Sequence, residues 1–165
     1  MTDEQQATVE HTIRICARPE TVWAYWTDPE RIRDWWASDA ELDPRPGGIC
    51  RVVLGGGGVM RGEFVELVPY KRIVFTFGWE SSPGAPPVAP GSTTVEITLT
   101  EDGGDTIMSL RHTSIPAAVR DLHQSGWAYF LTRLAAGASH RNPSESHPPV
   151  AAPRSADSGP VLPAG

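Results

Sequence analysis

The chain has 165 residues, 14 basic and 20 acidic, with a net charge of -6 at pH 7. That length suits one domain with one hydrophobic core, and the acidic balance disfavours nucleic acid and anionic membrane surfaces, which call for clustered Lys and Arg. No apolar run approaches the ~20 residues that span a bilayer, and the polar opening MTDEQQATVEH does not read as a signal peptide, so the expected compartment is the cytoplasm.

Residues 1–7 read as a flexible N-terminus. From Val9 to Cys16 apolar and polar residues alternate, with Val9, His11, Ile13 and Ile15 on one face, which predicts a half-buried strand. Pro19 and Pro29 each suit the first position of a helix, and Asp28 suits an N-cap. Two short helices are predicted, over 19–26 and 29–35. From Ala40 the period changes to two. Strands are expected near 40–44, 49–54, 60–68 and 72–79. The four glycines at 55–58 read as a hairpin turn, because a phosphate loop needs Lys-Ser/Thr and a following helix. In the 72–79 strand, Ile73, Phe75, Phe77 and Trp79 face one way, the most aromatic face of the chain. A Pro- and Gly-rich loop, ESSPGAPPVAPGS, leads to strands at 93–100 and 106–112, joined by a turn at Asp102-Gly103-Gly104-Asp105.

The longest helical pattern follows, with Val119, Leu122, Trp127, Phe130, Leu131 and Leu134 at amphipathic spacing. Residues 139–165 are rich in Pro, Ser and Ala and read as a disordered tail, too poor in bulky apolar residues to offset the entropy of ordering. His140 and His147 lie there without a frame of further ligands, so no metal is expected from them. The domain is thus expected over 8–138. Its class is α+β: a curved antiparallel sheet of six to seven strands gripping one long C-terminal helix, with two short helices after the first strand. Cys16 and Cys50 are too few for a disulfide scaffold and are expected to be buried thiols.

Three blocks carry a resemblance: GEFVELVPYKRIVFTFGWE, GSTTVEITLTEDGGDTIMSLRHTSIP and HQSGWAYFLTRL, with PETVWAYWTDPERIRDWW upstream. Together they resemble the START-like (SRPBCC) helix-grip superfamily, and most of all the branch related to the C-terminal domain of the activator of the heat-shock 90 chaperone ATPase. The resemblance runs over roughly residues 8–137 and implies a cavity between sheet and long helix. Its lining would be Trp35 or Trp36 at the mouth, Met60 or Phe64 on a middle strand, then Phe75, Phe77 and Trp79. Val95, Ile97, Met108, Leu110 and His112 would follow on the last two strands, and Trp127, Phe130 and Leu131 would face them from the helix. His112 and His123 both match positions where this branch carries histidine. For each apolar residue the alternative is ordinary core, since periodicity marks burial alone. For each histidine the alternative is a bond to a backbone carbonyl or a cap on the strand-to-helix turn.

Catalytic motifs are absent: no nucleophile elbow, CxxC, HExxH or nucleotide fingerprint appears. The first reading is therefore a protein that binds a hydrophobic or aromatic small molecule, with no cofactor and no identifiable catalysis. A polyketide cyclase or aromatase is the alternative from the enzyme class, with Tyr25, Tyr129 and His112 as the groups to consider. A chaperone-interaction module is the third reading, lowered because the chain begins at the helix-grip domain. Homodimer formation is left open.

Overall fold

The computed structural model describes residues 6–82 and 87–139. The start of the expected flexible N-terminus, the centre of the Pro/Gly-rich loop and the tail from His140, with His147, lie outside the described residues.

The first strand, β1 (Gln6–Ile15), begins two residues ahead of the expected domain boundary. Val9 and Ile15 are fully buried on its inner face. Helix α1 (Pro19–Thr27) carries Pro at its start and buries Val22, Tyr25 and Trp26. Asp28 caps the next helix, α2 (Pro29–Ile32), its side chain accepting the Glu30 amide at 2.9 Å. This helix is a single turn rather than the expected 29–35. Beyond it the amides of Trp36 and Ala37 both return to the Ile32 carbonyl, at 3.0 and 3.2 Å. That tight bend drives Trp35 and Trp36 into the core, where their rings stack at 5.4 Å and Trp26 meets Trp35 edge-on at 4.7 Å. The Trp35 indole donates to the Tyr25 carbonyl at 2.8 Å, satisfying a polar group that burial would otherwise penalise.

Strands β2 (Asp39–Leu42), β3 (Ile49–Val53), β4 (Val59–Val68), β5 (Arg72–Phe77), β6 (Trp79–Ser81), β7 (Thr93–Asp102) and β8 (Asp105–Pro116) complete one antiparallel sheet. Its order is β1-β8-β7-β5-β4-β3-β2, with β6 pairing β4 off that path. It is curved and unclosed, as an α+β helix-grip sheet should be. The expected strand 72–79 is divided at Gly78 into β5 and β6. There the Arg61 amide donates to the Gly78 carbonyl at 3.0 Å, and the Trp79 amide to the Val88 carbonyl at 2.7 Å. A Cβ at position 78 would run into the Ala89 carbonyl, so only glycine allows this approach. The division adds the eighth strand.

Strand β8 runs four residues past its expected end at His112. Between Val9↔His112 and Ala7↔Ile115 it carries an extra residue, and Ser114 takes φ 66° there. This bulge resets the alternation, so His112 and Ile115 both point inward. A 3-10 turn (Ala117–Val119) then leads into α3 (Arg120–Ala138). The helix lies across the sheet and buries His123, Trp127, Leu131, Leu134 and Ala138, a stripe at steps of three and four. Leu122, expected on that stripe, is 55% exposed, and His123 takes the inward place. The C-terminal end is tied down where the Cys16 amide donates to Ser139 Oγ at 3.0 Å. Cys50 is buried, and burial raises its thiol pKa. Cys16, expected buried, is exposed, because the alternation of β1 leaves it on the outer side after Ile15. Among the described residues no helix is long and apolar enough to cross a membrane.

Candidate functional site

The inward alternation of β5 and β7 brings Phe77 opposite Thr93, and the alternation of β8 brings His112 beside them. The Thr93 hydroxyl donates to the Phe77 carbonyl at 2.8 Å. Its one proton is thereby committed, so its 2.8 Å contact with His112 Nε2 requires the ring to donate. His112 Nδ1 then accepts from Trp127 Nε1 at 3.0 Å. His112 is therefore the neutral Nε2–H tautomer, with no accessible surface. Burial first, and the neighbouring His123 second, push its pKa down to about 3.

His123 mirrors this arrangement with the opposite tautomer. Its Nδ1 is 2.8 Å from the Val119 carbonyl, which can only accept, so Nδ1 carries the proton. Its Nε2 accepts from Trp79 Nε1 at 3.1 Å. Burial lowers the pKa of His123, opposed by the bond to Val119. Two indoles thus donate to two histidines, whose rings meet edge-on at 5.7 Å. Phe77 lies among all four, 4.5 Å from His112 and 5.3 Å from Trp79 between ring centres. Both nitrogens of both imidazoles are bonded inside the protein.

An opening of about 310 Å³ adjoins this cluster, between α3 and the β5–β6 end of the sheet. Five aromatic rings line it: Trp36, Phe77, Trp79, Trp127 and Phe130. Leu54 and Leu122 add apolar surface, and His123, Ser82 and the indole nitrogens of the tryptophans supply the polar side-chain atoms. Gly126 completes the wall on the helix side, and a Cβ built there would meet no atom within 4 Å. A second opening of about 810 Å³ shares Trp36 and Phe130 with the first. It continues past Trp35 to Arg33, Tyr129 and Arg133, with the β3–β4 glycines 55 and 56 on its opposite rim. Arg133 Nε donates to the Trp35 carbonyl at 3.1 Å, joining α3 to the bend after α2.

Of the residues expected to line a cavity, Trp36, Phe77, Trp79, His123, Trp127 and Phe130 thus gather at the smaller opening, and Trp35 at the larger. The others are buried in the core on the inner face of the sheet and of α3: Met60, Phe64, Phe75, Val95, Ile97, Met108, Leu110, His112 and Leu131. Met108 also accepts from the Trp26 indole through sulfur at 3.4 Å. Tyr25 is buried with its hydroxyl 3.5 Å from the Gly137 carbonyl, and Tyr129 is 56% exposed. Thr93, Leu54, Ser82 and Leu122 were not among the expected site residues. Thr93 could have been found, since it shares the inward alternation of Val95, Ile97 and Leu99. Gly126 stands out in the sequence as a helix-interior glycine, which lowers helix stability by about 1 kcal/mol relative to Ala, though its place beside an opening does not. Among the described residues no group of three or more His, Cys, Asp or Glu is placed to hold a metal.

The family model described as "Activator of Hsp90 ATPase homolog 1-like protein" matches residues 16–138, from the end of β1 through α3. The chain belongs to that family. An AHSA1-like protein of Rhizobium etli is 39% identical, over 83% of this chain and 84% of its own, with a TM-score of 0.66. Two more distant structures share the fold. DynU16, from the dynemicin biosynthetic locus, is 23% identical with a TM-score of 0.67, and the match covers 82% of this chain but 47% of DynU16. The Aha1 dimer of Colwellia psychrerythraea is 18% identical, with a TM-score of 0.67 over 81% and 96% of the two chains. Among curated proteins nothing matches.

Proposed function

We propose that this AHSA1-like protein binds a hydrophobic or aromatic small molecule in the opening between α3 and the β5–β6 end of the sheet. The observation that carries this reading is Gly126. It stands inside a long helix, at a position where a Cβ would have nothing within 4 Å, against an opening walled by five aromatic rings. A helix loses about 1 kcal/mol by carrying glycine there, and keeping the space free is the gain the geometry offers. Pockets of this kind take apolar bodies through ring contacts, with few polar groups fixing orientation.

The hydrogen bonding supports binding over acid–base work by the histidines. All four imidazole nitrogens already have partners, and burial disfavours protonating either ring. The family's name supports a second reading, a module that contacts a chaperone. Family membership alone carries it, whereas the binding reading rests on this chain's own side chains.

The test uses 2-naphthamide, an uncharged probe, titrated against tryptophan fluorescence in the full chain and in Gly126→Leu. Leucine is a better helix former than glycine, so the variant should fold at least as well while filling the opening. Saturable quenching in the parent, weakened tenfold or more in the variant, is the expected result. Equal affinity in both proteins, or no saturable response in the parent, would overturn the proposal.

A further inference from the structure

Arg33 and Arg133 are the described arginines without a carboxylate partner. Every other described arginine is ion-paired, as expected in a chain with a net charge of -6. The two exceptions come from different elements, the end of α2 and the last third of α3, yet they line the same opening. No acidic side chain lines it with them. Arg133 is held in place by its bond to the Trp35 carbonyl and by the Tyr129 ring, 5.9 Å beneath its guanidinium carbon. That opening shares Trp36 and Phe130 with the ring-lined one.

We infer that the ligand is an aromatic acid, its ring between Phe77, Trp79 and Trp127 and its anionic oxygens at Arg33 and Arg133. This rests on the binding site proposed above and adds the charged end of its ligand. From Gly126 to Arg133 is seven residues, about 10 Å along the helix axis, which sets the ring-to-anion reach. Guanidinium groups present paired N–H donors matched to carboxylate or phosphate oxygens. Both arginines are exposed, so the attraction is screened by salt and adds selectivity to the affinity supplied by the rings.

The experiment compares 4-(2-naphthyl)butanoate with 4-(2-naphthyl)butanamide, whose side chain spans about that reach and which differ in charge at nearly constant shape, by tryptophan fluorescence at low and high salt. The expected result is an acid bound several-fold more tightly than the amide at low salt, with the preference shrinking as salt rises. In Arg33→Gln and in Arg133→Gln the acid-to-amide ratio should fall by up to about fivefold each. Arg133→Lys should retain more of the ratio than Arg133→Gln. An acid and amide of equal affinity, or a preference that survives both substitutions, would overturn the assignment of the anion while leaving the ring site standing. Failure of both probes to bind would sink the proposed binding site, and this inference with it.

Discussion

Acidification should destabilise the protein well above the range where its carboxylates titrate. The unfolded chain exposes His112 with a pKa near 6.5, whereas burial holds it at about 3 in the folded state. Between those values the unfolded state binds a proton that the folded state refuses, so stability rises with pH across this window. The contribution is complete above pH 6.5 and is lost progressively as pH falls toward 3. Each pH unit below 6.5 removes about 1.4 kcal/mol, so at pH 5 the loss from this one ring is about 2 kcal/mol. His123 is also depressed and adds to the loss in the same direction. Glu80 is held below the usual carboxylate range by hydrogen bonds from Arg51 and then Arg61, and it acts only at lower pH. Urea denaturation from pH 8 to pH 5 measures the effect. The parent should show a slope of one to two protons, and His112→Phe, less stable at pH 8, should show a slope smaller by about one. Proton titration of the His112 ring by NMR is the direct check. A midpoint near 6.5 in the folded protein, or the same slope in both proteins, would refute the reasoning.

Two further substitutions probe the same structure. Thr93→Val leaves His112 Nε2–H without an acceptor in the core, which should lower stability by about 1–3 kcal/mol at neutral pH in urea denaturation; an unchanged midpoint would show that the hydroxyl is dispensable. Gly78→Ala places a methyl against the Ala89 carbonyl, and such overpacking should remove about 1–3 kcal/mol. The displaced strand should also shift the Trp79 indole resonance, so a variant with parent-like stability and an unmoved indole would contradict the account of β6.

Most of the fold was legible because its signals are local. Alternation in Val9–Ile15 and Thr93–Leu99, prolines at both short helices, and the turn at 102–105 each act within a few residues. What escaped depends on contacts distant in sequence. The division of the strand at Gly78 needs Val88 and Ala89 alongside and Arg61 opposite. The shortness of α2 needs a core deep enough to draw in Trp35 and Trp36. The bulge at Ser114 is matched by β1 pairing across it, which no reading of β8 alone would reveal. Leu122, expected inward, turns outward for a similar reason, while His123 stays inward. Periodicity ranks leucine as the inward residue, yet the carbonyl of Val119 and the indole of Trp79 keep the cost of burying histidine small.

The candidate site was legible as a face but not as a space. Alternation can say that Phe75, Phe77, Val95, Ile97 and Leu110 point the same way. It cannot say where the side chains leave a gap, because a gap depends on what stands opposite. Side chains from α1, the bend after α2 and α3 fill the space over the middle of the sheet: Trp26 and Trp36 both reach Phe75, at 6.2 and 6.3 Å between ring centres. The described opening falls at the β5–β6 end, where the helix presents Gly126 in place of a side chain. The two histidines take on a different meaning there. Histidines among aromatic rings invite a catalytic role, but each accepts a hydrogen bond from an indole N–H and donates to a fixed oxygen. Removing either would leave an indole N–H unpaired beside the opening. They hold the Trp79 and Trp127 rings at their angles, so in the proposed binding site they would act through the shape of an apolar wall, and polar selectivity would fall to the arginines beyond Trp36 and Phe130.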